Sequence, residues 1–195
     1  SLDYNPYLDQ ILISARNSNE IYIIDHSTTT EQAAGHDDGN YSGGGDFLYR
    51  WGNPQAYGMG DSLDQKLFWN HEANWIDSDC PDSGKVMIFN NGYLRTGTDY
   101  SSIEILQIPN SLEINNSGTY DPPQFTNTMI LDDSLFITRM GGAFQLMNGN
   151  ILASISMRNK IIEFDSNGGI VWHHETYNHL SVARKYYHFP NMEME

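Results

Sequence analysis

Asp9-Gln10-Ile11-Leu12-Ile13-Ser14, followed by Asn19-Glu20-Ile21-Tyr22-Ile23-Ile24-Asp25, returns as Gly149-Asn150-Ile151-Leu152-Ala153-Ser154 and Asn159-Lys160-Ile161-Ile162-Glu163-Phe164-Asp165, at a constant offset of 140 residues. Identities fall at Ile, Leu, Ser, Asn, Ile and Asp. Each copy reads as two β-rich runs flanking a turn cluster, the pattern of a hairpin. A weaker copy, Gly84-Lys85-Val86-Met87-Ile88 and then Ser102-Ile103-Glu104-Ile105, lies between them. The last copy continues into Asp165-Ser166-Asn167-Gly168-Gly169-Ile170-Val171-Trp172, a turn and a further strand. Such repeats are how a β-propeller blade looks in sequence, because one four-stranded sheet cannot bury both faces and must stack on neighbours around an axis. The fold expected is all-β, with about three four-stranded antiparallel blades. Closed propellers have about four blades or more, so residues 1–195 are read as a single portion of a longer molecule.

Outward from the repeat, strands are predicted at 11–14, 20–25, 47–51, 85–90, 102–108, 143–147, 151–154, 160–165 and 169–174. Two insertions interrupt them, at 27–46 and 110–133. In the first, a Thr-x-x-Glu/Gln start predicts one capped helical turn. Its Asp and Gly density raises calcium as a ligand, although the Asp-x-Asp-x-Asp-Gly spacing of a calcium loop is missing. The second is read as a long surface connection with room for a short edge strand at 125–131.

Composition bounds the rest. Hydrophobic residues are 39% and aromatics 12% of the 195 residues, enough for a core in one domain. Mean hydropathy is −0.51, and no apolar run approaches the roughly 18 residues of a membrane helix, so no membrane insertion is expected. The opening Ser1-Leu2-Asp3-Tyr4-Asn5-Pro6 has neither a basic start nor an apolar stretch. The net charge of −15 repels phosphate backbones and argues against nucleic acid as a partner. An anionic ligand would need local Arg or His to overcome that field. Cys80 is the one cysteine, so no internal disulfide is available, and its acidic neighbours disfavour a thiolate.

Chemistry-bearing groups are few. His173-His174-Glu175 with His179 is the one cluster that raises zinc, but adjacent strand residues point to opposite faces, so no metal site is expected. No nucleophile elbow, phosphate loop or dinucleotide fingerprint is present. Two residues stand out. His71 lies in Leu67-Phe68-Trp69-Asn70-His71-Glu72-Ala73-Asn74-Trp75-Ile76, an imidazole among aromatics with a side chain that titrates near neutrality. Arg16 closes the first repeated strand, where a guanidinium fork could meet an oxyanion.

Several stretches together carry a family resemblance. Leu8-Asp9-Gln10-Ile11-Leu12-Ile13-Ser14-Ala15-Arg16-Asn17, Phe47-Leu48-Tyr49-Arg50-Trp51-Gly52-Asn53-Pro54, the His71 stretch, Ile88-Phe89-Asn90-Asn91-Gly92-Tyr93-Leu94-Arg95, and Leu146-Met147-Asn148-Gly149-Asn150-Ile151-Leu152 follow the order seen in bacterial arylsulfotransferases, which the chain resembles over most of its length. The resemblance implies the C-terminal half of a six-bladed β-propeller. It implies an exported protein, in the periplasm or at the cell surface, which moves a sulfuryl group from an aryl sulfate to a phenol without a nucleotide donor or any cofactor. His71 would be the nucleophile, sulfated in passing, and Arg16 would neutralise the sulfuryl oxygens. Asn17, Trp69, Trp75 and Asn90 would line the substrate, although packing between blades is the preferred reading of either Trp. Asn70 stands where the family has Gln, and Ala15 where it has Ser. The family's His-x-Asn pair would precede Ser1, and another of its histidines lies in an earlier blade. The rival expectation is a non-catalytic surface propeller that binds glycans or a protein partner. Self-association that completes the ring is a further one.

Overall fold

The computed structural model describes residues 1–109, 112, 122–178 and 180–184. It holds three four-stranded antiparallel sheets and, besides them, only short 3-10 turns. The first sheet is β1 (Leu2–Asn5), β2 (Gln10–Ala15), β3 (Glu20–Asp25) and β4 (Phe47–Trp51). The second is β5 (Ala73–Trp75), β6 (Val86–Asn90), β7 (Ser102–Leu106) and β8 (Asn127–Ile130). The third is β9 (Gly142–Gln145), β10 (Ile151–Ile155), β11 (Lys160–Phe164) and β12 (Ile170–Glu175). In each, strands neighbour one another in chain order, as short turns between successive strands require.

The repeat is visible in the turns. Asn19 and Asn159 occupy the same place between the paired strands, and both are left-handed, with φ of 58° and 55°. Asn tolerates that region better than most residues, because its short amide bonds locally. Asp9, Gly84 and Gly149, at φ of 51°, 80° and 85°, each turn the chain just before the second strand of a sheet. The matched register Ser14↔Ile21 and Ser154↔Ile161 follows from these equal turns.

Two cores lie between the sheets. Leu12, Ile21, Ile23 and Trp51 of the first sheet meet Ala73, Val86 and Ile88 of the second. On its other side, the second sheet sends Met87, Phe89, Ile103 and Ile105 against Ala143, Ile151, Ala153 and Ile162 of the third. The strand period of two explains the split, since Val86 and Ile88 face one way while Met87 and Phe89 face the other. A strand buried on both faces reads as a continuous apolar run, which is what Val86-Met87-Ile88-Phe89 is. The leading strands also touch. Trp75 N–H donates to Asp3 Oδ2 at 2.8 Å, and Asn74 Nδ2 donates to the Ala143 carbonyl at 2.8 Å, so β5 is bonded to β1 and to β9. The outer faces stay open: Leu2 is 70% and Trp172 49% exposed.

Phe89 is fully buried between the second and third sheets, so Phe89→Ala is expected to cost about 3–5 kcal/mol of stability. Leu63→Ala, at a site 78% exposed, should stay within about 0.5 kcal/mol. Urea unfolding of the two variants against the parent measures both.

Two strands differ from expectation. β1 and β5 were not predicted; both are short and carry polar residues, and their partners rather than their own composition hold them extended. The edge strand expected at 125–131 is β8. In the 27–46 insertion the helical turn is the 3-10 segment Gln32–Ala34. Thr29 N–H donates to Gln32 Oε1 at 2.9 Å, and Gln32 N–H returns a bond to Thr29 Oγ1 at 3.3 Å, a capping box. The base of this loop is tied to Asp25, whose carboxylate accepts from Ser27 and Tyr41. Of the 110–133 insertion, residues 110, 111 and 113–121 lie outside the described residues. No helix among the described residues is long and apolar enough to cross a membrane.

Candidate functional site

β2 ends at Ala15, β6 ends at Asn90, and β5 begins at Ala73. The antiparallel alternation brings these three points to the same end of the stacked sheets. The next residue or two beyond each strand end are Arg16, Asn91 and His71. The site is therefore built from loops fixed by a rigid scaffold, the usual place for chemistry.

His71 is held through both its backbone and its ring. Its backbone N–H bonds the Phe89 carbonyl at 3.0 Å, and its Nδ1 lies 2.7 Å from Asn91 Oδ1 and 3.3 Å from the Trp69 carbonyl. Asn91 fixes the tautomer. Its Nδ2 already donates to the Ile137 carbonyl at 3.1 Å and the Met140 carbonyl at 2.9 Å. Both donors are spent, so the oxygen must face the ring. The Trp69 carbonyl is also an acceptor. Nδ1 therefore carries the proton, and Nε2 is left as the bare, lone-pair nitrogen. Gly92 follows Asn91 at φ 70°, and any Cβ there would land on the Tyr100 carbonyl, so glycine is required for the turn to close.

Burial is the main force on the imidazole and pushes its pKa below the ordinary value of 6.5. The bonds from Asn91 and Trp69 pull the other way, and the charge of Arg16 lowers it again. The neutral ring thus persists below pH 6.5. The pH dependence follows from the sign. Between the folded pKa and 6.5 the unfolded chain takes up a proton that the folded chain refuses. The stability contributed by neutral His71 is full above pH 6.5 and is lost as pH falls through that window. An NMR titration of the His71 ring in the folded protein is expected to give a midpoint below 6.5, and His71→Ala should flatten the stability profile there.

Arg16 lies over the Trp69 ring, with its guanidinium carbon 3.9 Å from the ring centroid, a cation–π contact. Its Nη1 donates to Asn17 Oδ1 at 3.3 Å, and its buried Nε has no partner among the described residues. Burial, then the charge of Arg139, lower its pKa. Trp69 is left-handed at φ 57°, an uncommon state for so bulky a residue and the kind of strain that collects at functional sites. Its N–H is held by Asn19 Oδ1 at 2.7 Å, and its ring meets Tyr93 edge-on at 5.6 Å. Asn70 is fully buried and ties this segment to the first sheet through Ser14 Oγ at 2.7 Å.

The structure thus brings His71, Arg16, Asn17 and Trp69 together. It does not bring in Asn90 or Trp75 as groups free to meet a ligand. Asn90 is fully buried, accepts from Phe68 N–H at 2.9 Å and donates to the Lys66 carbonyl at 3.0 Å; it clamps the segment that leads into Trp69. Trp75 sits at the other end of β5 and packs in the core between the first and second sheets. It also borders a recess of about 640 Å³ at that end, with Tyr4, Tyr7, Phe144 and Arg184. Three residues were missed from sequence. Asn91 and Asn19 were passed over because amides bond almost anything. Arg139 was visible only as one of ten basic residues.

The zinc cluster does not assemble among the described residues. His174 stacks on Trp172, two positions back on the same face of β12, His173 takes the alternate position, and His179 lies outside the described residues. Cys80 is buried, and burial followed by Asp77 and Asp79 raises its thiol pKa. No protein-family model and no curated protein matches the chain. What the site can do therefore rests on its own geometry: a neutral imidazole with one free nitrogen, beside a guanidinium that has no carboxylate partner among the described residues.

Proposed function

We propose that the chain is part of a β-propeller sulfotransferase of the arylsulfotransferase kind, with His71 as the group that carries the sulfuryl. The observation that supports this is the Asn91 lock, which presents Nε2 of a neutral His71 as a nucleophile beside Arg16. The three stacked sheets with matching turns suit three consecutive blades. The resemblance to exported bacterial enzymes makes the periplasm or cell surface the corresponding location.

The chemistry balances without a metal or cofactor. The Nε2 lone pair attacks the sulfur of an aryl sulfate, the N–S bond forms, and the S–O bond to the ring breaks. Phenolate leaves with that electron pair and is protonated by solvent. The imidazole now carries SO₃ on Nε2 and a positive charge, which the Nδ1–H bond to Asn91 spreads. In the second half, a phenol oxygen attacks the sulfur, the N–S bond breaks, and the acceptor proton is released. Splitting one displacement into two through a covalent intermediate predicts ping-pong kinetics. As in phosphoryl transfer, positioning and charge neutralisation at the terminal oxygens do most of the work. Arg16 suits that task, and the Trp69 and Tyr93 rings suit the aryl group.

The test is intact-protein mass after mixing with p-nitrophenyl sulfate, quenched under base where a sulfohistidine survives. A gain of about 80 Da, one SO₃ group, mapped by peptide analysis to His71, is the expected result. The absence of any adduct on a folded protein would overturn the reading. A second reading, ligand binding without catalysis, draws on the recess lined by Tyr4, Tyr7 and Phe144 at the opposite end of the leading strands. Glycan retention that survives His71→Ala would favour it.

A further inference from the structure

We propose that Arg139 is the second cationic arm of the His71 site and that it closes, with Arg16, on the terminal oxygens of one bound anion. The inference rests on the reading of this end of the sheets as an anion site, and it adds a residue to that site from another part of the chain.

Cations are scarce in a chain of net charge −15, and four of the nine among the described residues are matched to carboxylates. Arg50 pairs with Glu20 at 2.8 Å, Lys85 with Asp82 at 2.6 Å, Arg95 with Glu104 at 4.0 Å, and Lys160 with Glu175 at 4.0 Å. Arg16 and Arg139 have no such ion pair among the described residues, and neither have Lys66, Arg158 and Arg184. The carbonyls that flank Arg139 in the chain are bonded by Asn91, the residue that holds the His71 ring, and the charge of Arg139 acts with burial to lower the Arg16 pKa. Two like charges gain nothing from proximity in the empty site. An anion between them removes the repulsion and supplies both with acceptors.

The loop that carries Arg139 is held in place and not left to swing. Asn91 Nδ2 bonds the carbonyls on both sides of it, Ile137 and Met140. Ser101 Oγ accepts from Ile137 N–H at 3.1 Å and donates to the Asn91 carbonyl at 3.0 Å. Met140 and Gly141 turn left-handed, with φ of 61° and 94°. A Cβ on Gly141 would strike the Phe89 ring. The same amide therefore orients His71 through its oxygen and sets the Arg139 loop through its nitrogen. At its tip Thr138 Oγ1 donates to Met157 Sδ at 3.6 Å, and Arg139 is left exposed. A guanidinium fork on each side would bind an anion with at least two terminal oxygens, a sulfate or phosphate ester in class.

Calorimetric binding of inorganic sulfate and of p-nitrophenyl sulfate to His71→Ala protein separates binding from chemistry. In that background Arg139→Ala is expected to weaken both anions about tenfold at low salt, as loss of a charge-assisted bond does, and Arg139→Lys to recover part of it. Lys85→Ala removes the same unit of charge before the start of β6, at the end opposite Asn91, and should change affinity little. Unchanged affinity in Arg139→Ala, or an equal loss in Lys85→Ala, would overturn the cradle. The two readings fail separately. Arg139-dependent anion binding by a protein that never gains 80 Da would sink sulfuryl transfer and leave the cradle standing. An adduct in the parent, with affinity indifferent to Arg139, would do the reverse.

Discussion

Alanine at His71 is expected to abolish the 80 Da adduct and to reduce sulfuryl transfer by about 10⁴-fold or more, the scale on which loss of an enzyme's nucleophile is felt. The fold should survive. The side chain is only half-buried, its one side-chain partner is Asn91, and the backbone bond to Phe89 does not depend on the ring. The cost is an Asn91 oxygen left without its donor, about 1–3 kcal/mol where it is dry and less where water enters. A far-ultraviolet spectrum and a urea midpoint close to the parent, with no labelling, would tie the chemistry to this nitrogen. Full labelling of the variant would move the nucleophile elsewhere and end the proposal for His71.

Asn91 should produce the second large effect, and two substitutions divide its tasks. Asn91→Ala removes the acceptor that holds Nδ1–H and the donors that hold the Ile137 and Met140 carbonyls. The ring is then free to present the wrong tautomer, an error worth about 10⁴-fold in serine hydrolases. A loss of about 10²–10⁴-fold in transfer is expected, with a fall of several degrees in Tm from the carbonyls left unpaired. Asn91→Asp keeps the acceptor and strengthens it, since a carboxylate beside Nδ1 favours the imidazolium. The His71 titration should move upward, and the acid limb of the rate profile with it. The carboxylate also faces two carbonyl oxygens it cannot bond, so stability should fall more than in the alanine variant. If Asn91→Asp left the His71 titration where it was, the bond between them would not exist in solution.

Much of this architecture can be read in the chain. The repeat 9–25 against 149–165 is a pair of hairpins with equal turns, and the structure places both as the two central strands of a sheet. The run 86–89 reads as a strand, and the structure adds that both of its faces are enclosed. β1 and β5 escaped, because Leu2-Asp3-Tyr4-Asn5 and Ala73-Asn74-Trp75 carry little apolar pattern of their own. They are strands because β2 and β6 offer them a ladder and because Asp3 and Asn74 bond across to neighbouring sheets. Short segments with polar side chains leave the decision to their partners.

The site divides in the same way. His71 and Arg16 could be singled out as types, one for its pKa and the other as a scarce cation at a strand end. The expectation that Asn90 and Trp75 would meet a ligand came from their place in a stretch of sequence. Burial withdrew both, one into a clamp on residues 66–68 and the other into a core. By itself the sequence determined the all-β class, the repeated hairpin and its left-handed turns, since these depend on local sterics and on a period of two. Only the tertiary structure decided that Asn91 faces His71 and that Arg139, 123 residues after Arg16, shares its surroundings. An amide has no preferred partner until the backbone around it uses one of its ends. Two carbonyls from a distant loop use the nitrogen of Asn91, and the proton on His71 follows from that.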